Sequence, residues 1–236
     1  MTDLPLQGRV ALVTGASRGI GSATAIALAA RGAHVILTSR TTGGLEETEE
    51  AIDRAGGTAT IAPLDLTESD GIPRLAAAIV ERWPAIDILV LNAATLGSLS
   101  PVPAFDPKEL ARTLTLNVSA QAALIGAVDP LLNASGRGRI IGLTSSVART
   151  PRAFWGMYAA SKAAFETLLM SYAEEVRNLS QTRVAIVDPG ATRTKMRARA
   201  FPGEDPASVK PPEAVAERIA ALLAEDFETG TFVRVE

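Results

Sequence analysis

A tyrosine and a lysine stand four residues apart in "YAASK", Tyr158 to Lys162, in a chain that has only two tyrosines. Side chains four positions apart lie on one face of a helix, so the phenol and the ammonium could act together on one small molecule. Tyrosine is a weak acid near neutral pH because its reference pKa is about 10, and a nearby cation stabilises the phenolate. The spacing also occurs by chance, and Tyr158 could simply pack in a core, so the pair needs support from elsewhere in the chain.

A glycine-rich turn follows the first apolar segment of the chain. The stretch "VTGASRGIG" places Gly15, Gly19 and Gly21 in a Gly-x3-Gly-x-Gly spacing. Glycines permit a tight turn and let backbone N–H groups and a helix N-terminus approach a pyrophosphate. The turn therefore indicates dinucleotide binding, with a plain strand-to-helix turn as the alternative.

The end of the second predicted strand, "LTSRTT", favours NADP over NAD. Dinucleotide sites that take NAD usually have an acid here to bind the ribose 2′-hydroxyl. This chain has Ser39 at that position and Arg40 beside it, and Arg18 lies inside the glycine-rich turn. A serine and guanidinium groups can accept a 2′-phosphate that an acid would repel. The alternative is that both arginines are solvated surface charges.

Apolar segments of strand and helix character alternate along the chain and must position these residues. Runs typical of strands, such as "RVALVTG", "AHVILTS", "IDILVLNAA", "GRIIGLTS" and "RVAIVDPG", are separated by segments with helical spacing, including one long helix over 106–132. Strands this apolar are expected where helices cover both faces of a parallel sheet. The pattern predicts an α/β, three-layer, doubly wound Rossmann-type fold in a single domain over 1–236. The irregular stretch at about 192–214 is interpreted as a substrate loop, with a disordered connection as the alternative.

The composition narrows the classes of function. A net charge of −3 gives no basic footprint for nucleic acid. The chain has no cysteine and a single histidine, His34, which leaves little material for a metal site or a histidine triad. The segment "MTDLPLQGRV" does not read as a secretion signal, and no apolar run approaches the length of a membrane span. We expect a cytoplasmic protein that binds neither metal, nucleic acid nor membrane.

Seven short motifs in order make the chain similar to the short-chain dehydrogenase/reductase family. They are "TGASRGIG", "DLT" at 65–67, "LNAA" at 91–94, "LN" at 116–117, "TSS" at 144–146, "YAASK" and "DPGATRT" at 188–194. The resemblance extends from Arg9 to about Val235. It implies an oxidoreductase that moves a hydride between a nicotinamide cofactor and a carbonyl or secondary alcohol. In "LNAA" the first asparagine and the glycine usual in the family are missing, which could loosen the support of that strand.

The resemblance implies a catalytic set of Asn117, Ser145, Tyr158 and Lys162. Tyr158 would donate the proton in reduction and accept it in oxidation, and Ser145 would hydrogen-bond the substrate oxygen. Lys162 would also bond the nicotinamide ribose, and Asn117 would interrupt its helix and hold a water linked to Lys162. The glycine turn, the second strand and the resemblance together give the cofactor-binding set Gly15, Ser17, Arg18, Gly19, Ile20, Gly21, Ser39, Arg40, Asp65, Leu66, Asn92, Ala93, Tyr158, Lys162, Pro189, Gly190, Thr192 and Thr194.

Two narrower alternatives stay open from the sequence. A 3-oxoacyl-thioester reductase of fatty-acid synthesis would meet an acidic carrier, and a basic patch of Arg149, Arg152, Lys195 and Arg197 would support it. A non-catalytic NADP-binding regulatory module is the other alternative, although the intact Ser, Tyr, Lys and Asn set argues against it. The resemblance further implies a homodimer or homotetramer that acts on a small-molecule carbonyl or alcohol. Phe154 and Trp155 supply apolar surface beside the substrate, or pack in the core.

Overall fold

The computed structural model describes residues 4–236, and in these residues one parallel sheet of seven strands runs through the chain. The strands are β1 (Val10–Thr14), β2 (His34–Ser39), β3 (Thr58–Pro63), β4 (Ile88–Leu91), β5 (Arg139–Leu143), β6 (Arg183–Asp188) and β7 (Thr231–Arg234). Their order across the sheet is β3-β2-β1-β4-β5-β6-β7, so the winding direction reverses between β1 and β4. Ligands of such sheets bind outside the carboxyl ends of the strands at this reversal.

Helices cover both faces of the sheet. Helices α1 (Gly19–Ala29), α2 (Thr42–Arg54) and α8 (Pro212–Ala224) pack on one face, whereas α3 (Gly71–Val80), α5 (Ala120–Ser135) and α6 (Gly156–Val176) pack on the other. Successive strand residues point to opposite faces, so Val13 belongs to the first core and Leu12 to the second. The predicted three-layer α/β fold is confirmed. Within residues 4–236, none of the helices has both the length and the apolar character that crossing a bilayer requires.

The long central helix differs from the sequence prediction. Instead of one continuous helix over 106–132, α4 (Pro107–Leu114) is followed by a π-helical stretch at Thr115–Ser119, and α5 then begins at Ala120. Asn117 lies in the middle of this stretch and its side chain is bonded to residues outside the helix. Such widened turns inside α-helices frequently occur at functional sites.

The predicted strand over 86–94 and the C-terminal region also differ in extent. Strand β4 covers only Ile88–Leu91, because the next residues bond to a side chain of β1 instead of extending the ladder. Helix α8 and strand β7 are further elements, and β7 pairs in parallel with β6 from Thr231 to Arg234. Strand β7 forms the edge of the sheet opposite β3.

The segment at about 192–214 has secondary structure of its own. It contains α7 (Lys195–Ala200), a 3-10 turn at Pro206–Ser208 and the first residues of α8. Its two ends are joined by a parallel bridge between Thr192 and Lys210, where the backbone N–H of Arg193 donates to the Lys210 carbonyl at 2.8 Å. The Lys210 ammonium donates to the Val235 carbonyl at 3.0 Å, directly after β7, and this bond holds the joined ends of the segment at the sheet. We call residues 193–209 the lid segment.

Candidate active site

The predicted cofactor residues lie along the carboxyl edge of the sheet. Gly15 follows β1, Ser39 ends β2 and Asp65 follows β3, while Asn92 follows β4. The parallel register brings these ends level, since Thr14 is paired with Thr38 and Ser39 with Pro63. Beyond the same edge, Ile20 lies in the first turn of α1 and the connecting segments contain Ser17, Ala93, Pro189, Gly190, Thr192 and Thr194. The side chain of Leu66 is buried in the core.

The glycine turn between β1 and α1 requires glycine at each of the predicted positions. Gly15 and Gly19 have φ values of +64° and +57°, a region that other residues rarely adopt. A Cβ on Gly21 would lie 2.2 Å from the Gly15 carbonyl oxygen, so no side chain fits there. A Cβ on Gly19 would lie 3.4 Å from Cγ2 of Thr194, so this turn faces the segment that follows β6. A glycine cradle at the start of an eleven-residue helix fits a pyrophosphate.

A small polar group of side chains stands at the end of β2. Arg40 is exposed, and its Nη1 lies 3.6 Å from Oδ2 of Asp65. Burial acts to raise the pKa of Asp65, but hydrogen bonds from Thr67 and the charge of Arg40 outweigh it, so the pKa lies below its ordinary value. Arg18 is also exposed, at the residue before α1. Both guanidinium groups are therefore accessible to an anionic ligand.

Thr14 ties the end of β4 to the glycine turn. Its hydroxyl accepts hydrogen bonds from the backbone N–H groups of Asn92 at 2.9 Å and Ala93 at 3.0 Å, and donates to the Val90 carbonyl at 3.1 Å. The Asn92 amide donates to the Thr14 carbonyl at 2.8 Å. Strand β4 is thus held in place although the first asparagine usual in the family is missing. Leu91, which stands at that position, is buried in the core. Sequence reasoning missed Thr14, although a hydroxyl at the end of an apolar strand was a signal.

Asn117 joins three parts of the site through its side chain. Its Oδ1 accepts from the backbone N–H of Thr95 at 2.8 Å, and its Nδ2 donates to the Thr95 carbonyl at 2.8 Å and to Oγ of Ser161 at 2.9 Å. The Ser161 hydroxyl donates in turn to the Tyr158 carbonyl at 2.8 Å. The segment after β4 and the first turns of α6 are therefore held together by one buried amide. The water predicted at Asn117 stays a prediction.

Tyr158 and Lys162 lie in the first turns of α6 and are only 7% and 4% exposed. The Lys162 ammonium donates to the Leu143 carbonyl at 2.7 Å and lies 6.0 Å from the centre of the Tyr158 ring. Burial lowers the pKa of Lys162 to about 8. Burial, together with the negative charge of Asp188, raises the pKa of the Tyr158 phenol. Burial thus acts more strongly on this phenol than the neighbouring cation does, contrary to the electrostatic expectation, and Tyr158 is protonated at neutral pH.

Glu166 fastens the loop that carries Ser145. Ser145 is half-buried and directly precedes a 3-10 turn at Ser146–Ala148. On one side of it, the Thr144 hydroxyl donates to Glu166 at 2.9 Å, and on the other the Arg149 guanidinium donates to the same carboxylate at 2.5 Å. Glu166 lies on α6, one turn beyond Lys162. The serine loop and the helix of the tyrosine are therefore held by one carboxylate that the sequence analysis did not single out.

The predicted basic patch is largely engaged in contacts within the chain. Arg149 pairs with Glu166 and its guanidinium lies 3.6 Å from the centre of the Phe232 ring. Arg197 makes two hydrogen bonds to Glu204 within the lid segment. Arg152 and Lys195 are exposed. Two of the four cations therefore have their charge compensated by a carboxylate.

Comparison with known proteins gives one consistent result. The family model for short chain dehydrogenases matches residues 9–205. The oxidoreductase YciK of Escherichia coli (strain K12) is 37% identical over 224 residues, which are 94% of this chain and 88% of that protein.

Solved structures agree with this result along the whole chain. A short chain dehydrogenase from Salmonella enterica serovar Typhi has a TM-score of 0.95 and 36% identity, and the match covers 100% of this chain and 99% of that one. One from Shigella flexneri, crystallised with NADP, has a TM-score of 0.94 and 37% identity, with coverage of 100% and 99%. The chain therefore belongs to the short-chain dehydrogenase family and is an oxidoreductase of that family.

Proposed function

We propose that this protein is an NADP(H)-dependent oxidoreductase that interconverts a carbonyl compound and a secondary alcohol, with Tyr158 as the general acid and base. The observation that carries the proposal is the placement of Tyr158 and Lys162 on α6, with the Lys162 ammonium bonded to the last carbonyl of β5 at 2.7 Å. Ser145 comes two residues after that carbonyl. A phenol and an ammonium would thus act together with the hydroxyl of Ser145 at the edge of the sheet where ligands of this fold bind.

The choice of NADP rests on charge at the end of β2 and in the glycine turn. Arg18 and Arg40 are exposed and Ser39 takes the place of an acid, so a 2′-phosphate would meet cations and no repulsion. The Shigella flexneri relative was crystallised with NADP. Asp65 adjoins Arg40 and would hold that guanidinium beside the phosphate. Bound NADP would supply or accept the hydride.

Side chains of the protein would donate the proton and stabilise the negative charge that develops on the substrate oxygen. Because its pKa is raised, Tyr158 is protonated at neutral pH and can donate its proton to the substrate oxygen in reduction. Lys162, with a pKa of about 8, is a cation at pH 7 and would stabilise the resulting phenolate. Ser145 would hydrogen-bond the same substrate oxygen and steady its charge. Asn117 would position α6 through Thr95 and Ser161.

The experiment that tests this function is NADPH consumption, with NADH in parallel, across ketones, aldehydes, quinones and 3-oxoacyl thioesters. We expect turnover with NADPH that exceeds turnover with NADH. Tyr158→Phe should lower the rate about 1,000-fold or more while NADPH still binds, because the variant lacks only the hydroxyl group that donates the proton. Turnover that survives in Tyr158→Phe would refute the assignment of the acid.

The thioester-reductase alternative receives little support from the charges around the site. An acidic carrier needs accessible cations, and Arg149 and Arg197 are already paired with Glu166 and Glu204. Activity on 3-oxoacyl thioesters in the same panel would restore it. We further propose a cytoplasmic homodimer or homotetramer, on the basis of the family resemblance.

A further inference from the structure

Apolar side chains surround the Tyr158 phenol. Leu96, Val147, Tyr158 and Ala159 are buried together, and the half-buried side chains packed against them are Leu99, Trp155, Met196 and Ala200. We call these eight residues the Tyr158 cluster. They come from the segments after β4 and β5, from the start of α6 and from α7 of the lid segment. The lid segment therefore contributes two of the apolar side chains that pack around Tyr158, Met196 and Ala200.

An aromatic wall links this cluster to the lid segment. The Trp155 ring stands edge-on to the Tyr158 ring, with 6.2 Å between their centres. The Phe201 ring, directly after α7, lies 5.5 Å from the Trp155 ring. Trp155 and Phe201 are both half-buried, so part of each ring surface remains available to a ligand. Aromatic rings in such pairs favour edge-on or offset packing with a further ring.

Charged groups at the border of the cluster are engaged with other partners. Arg197 is paired with Glu204, and the Arg199 guanidinium donates to the Gly97 carbonyl at 3.1 Å. Glu109 accepts a hydrogen bond from the Ser98 hydroxyl at 2.9 Å and adds a negative charge to this side of the site. Lys195 and Arg152 are exposed to water. A substrate carboxylate buried among the apolar side chains of the cluster would lose its hydration, while the nearby cations are exposed to water or bonded to other groups.

We infer that the substrate is an uncharged carbonyl compound with an aromatic or alicyclic group next to the carbonyl carbon, bound between Trp155, Met196 and Phe201. The inference rests on the proposed function, because it places the carbonyl at Tyr158. It adds that the ring lies against the aromatic wall and that the lid segment supplies part of the pocket. Trp155 and Phe201 are then specificity-determining residues.

The test compares two matched probes for binding, independently of turnover. Acetophenone and its para-carboxylated analogue are titrated into the Tyr158→Phe variant saturated with NADPH, and binding is measured by calorimetry. We expect the neutral ketone to bind at least about 30-fold more tightly than the carboxylate, which reflects the unpaired charge. Equal binding, tighter binding of the carboxylate, or no binding of the neutral ketone would each overturn the inference.

Variants locate the binding surface. Trp155→Ala and Phe201→Ala should each weaken acetophenone binding about 10-fold or more, while NADPH affinity stays within about twofold. The matched control is Phe154→Ala, since that ring is 59% exposed and lies outside the cluster. Loss of acetophenone binding in the control but not in the two variants would contradict the assignment. Tyr158-dependent reduction of a different carbonyl class would leave the proposed function intact while overturning this inference.

Discussion

The Lys162 ammonium occupies a buried position in which it donates a hydrogen bond to the Leu143 carbonyl. Burial lowers its pKa from the ordinary value of 10.5 to about 8, which means that the folded state disfavours the charged form. The protein nevertheless keeps a cation here at pH 7. We interpret this as stability given up for function, since a neutral side chain would not stabilise a Tyr158 phenolate.

Lys162→Met should raise the free energy of unfolding at pH 7 by about 1–2 kcal/mol while abolishing turnover. Removing the buried charge should add about 3 kcal/mol to the free energy of unfolding. Leaving the Leu143 carbonyl without a hydrogen-bond donor should subtract about 1–2 kcal/mol from this gain. The destabilisation of the wild type is complete below pH 8 and fades as the pH rises toward 10.5, because the folded state loses its proton first. The advantage of the variant should therefore shrink at about pH 9.5. Urea unfolding at both pH values measures it, and a variant less stable at pH 7 would contradict the account.

At the scale of elements, the serine loop and α6 are separate pieces of chain that must hold a fixed geometry. Glu166 does this by accepting from Thr144 and Arg149, on either side of Ser145. The Glu166 side chain is 13% exposed, so these bonds are largely shielded from water. Because the residue touches the loop and not the reacting atoms, it is a positioning residue.

Glu166→Leu should lower kcat for carbonyl reduction about 10- to 100-fold, since a displaced Ser145 no longer meets the substrate oxygen. Glu166→Gln should lose less, because an amide oxygen can still accept from Thr144. NADPH affinity should stay within about threefold in both variants. The matched control is Glu174→Gln, farther along the same helix, where the carboxylate pairs with Arg177 at the surface. Equal kcat in Glu166→Leu and the wild type would contradict the role.

The elements show which features a sequence can predict. The glycine turn and the spacing of Tyr158 and Lys162 follow from local sterics and helix geometry, so they are visible in the sequence. The π-helical stretch at Thr115–Ser119 is not visible in the helical spacing, because apolar residues continue across it and the side chain of Asn117 bonds to Thr95 and Ser161, which are distant in the chain. Only the family resemblance implied that the helix is interrupted at Asn117.

The aromatic wall could be predicted only in part. Trp155 precedes Tyr158 by three residues in the sequence, and its proximity to the substrate was one of two open interpretations. Its partner Phe201 lies in a segment whose path depends on the bridge between Thr192 and Lys210. Such pairing is tertiary and leaves no periodic pattern in the chain.

Across the whole molecule, the distance between the sheet and its helix layers is set by small residues. Gly142, the residue before the last of β5, lies directly under α6, and a Cβ there would come within 2.2 Å of Leu169 and 3.0 Å of Phe165. Since α6 carries both Tyr158 and Lys162, the separation of these two layers also fixes the depth of the site. Gly126 on α5 is exposed, and a Cβ there would meet nothing within 4 Å.

The two glycines should therefore respond in opposite directions to the same substitution. Gly142→Ala should lower the free energy of unfolding by about 1–3 kcal/mol through overpacking. Gly126→Ala should raise it by about 0.5–1 kcal/mol, because alanine favours the helix and reduces the freedom of the unfolded chain. Urea unfolding monitored by circular dichroism measures both. A stabilised Gly142→Ala would show that the layers can separate easily.

The bridge between Thr192 and Lys210 has a consequence for how this protein can change. It brings the two ends of residues 193–209 together at the sheet, so the stretch between them is a self-contained module whose length barely alters the entropy of closing it. Insertions, deletions or exchanges in the part of the module beyond Thr194 would leave the strands of the sheet in place. Evolution could thus change the substrate specificity of the enzyme by mutating the lid segment alone. Replacing this segment with that of a relative is the equivalent experiment in protein engineering.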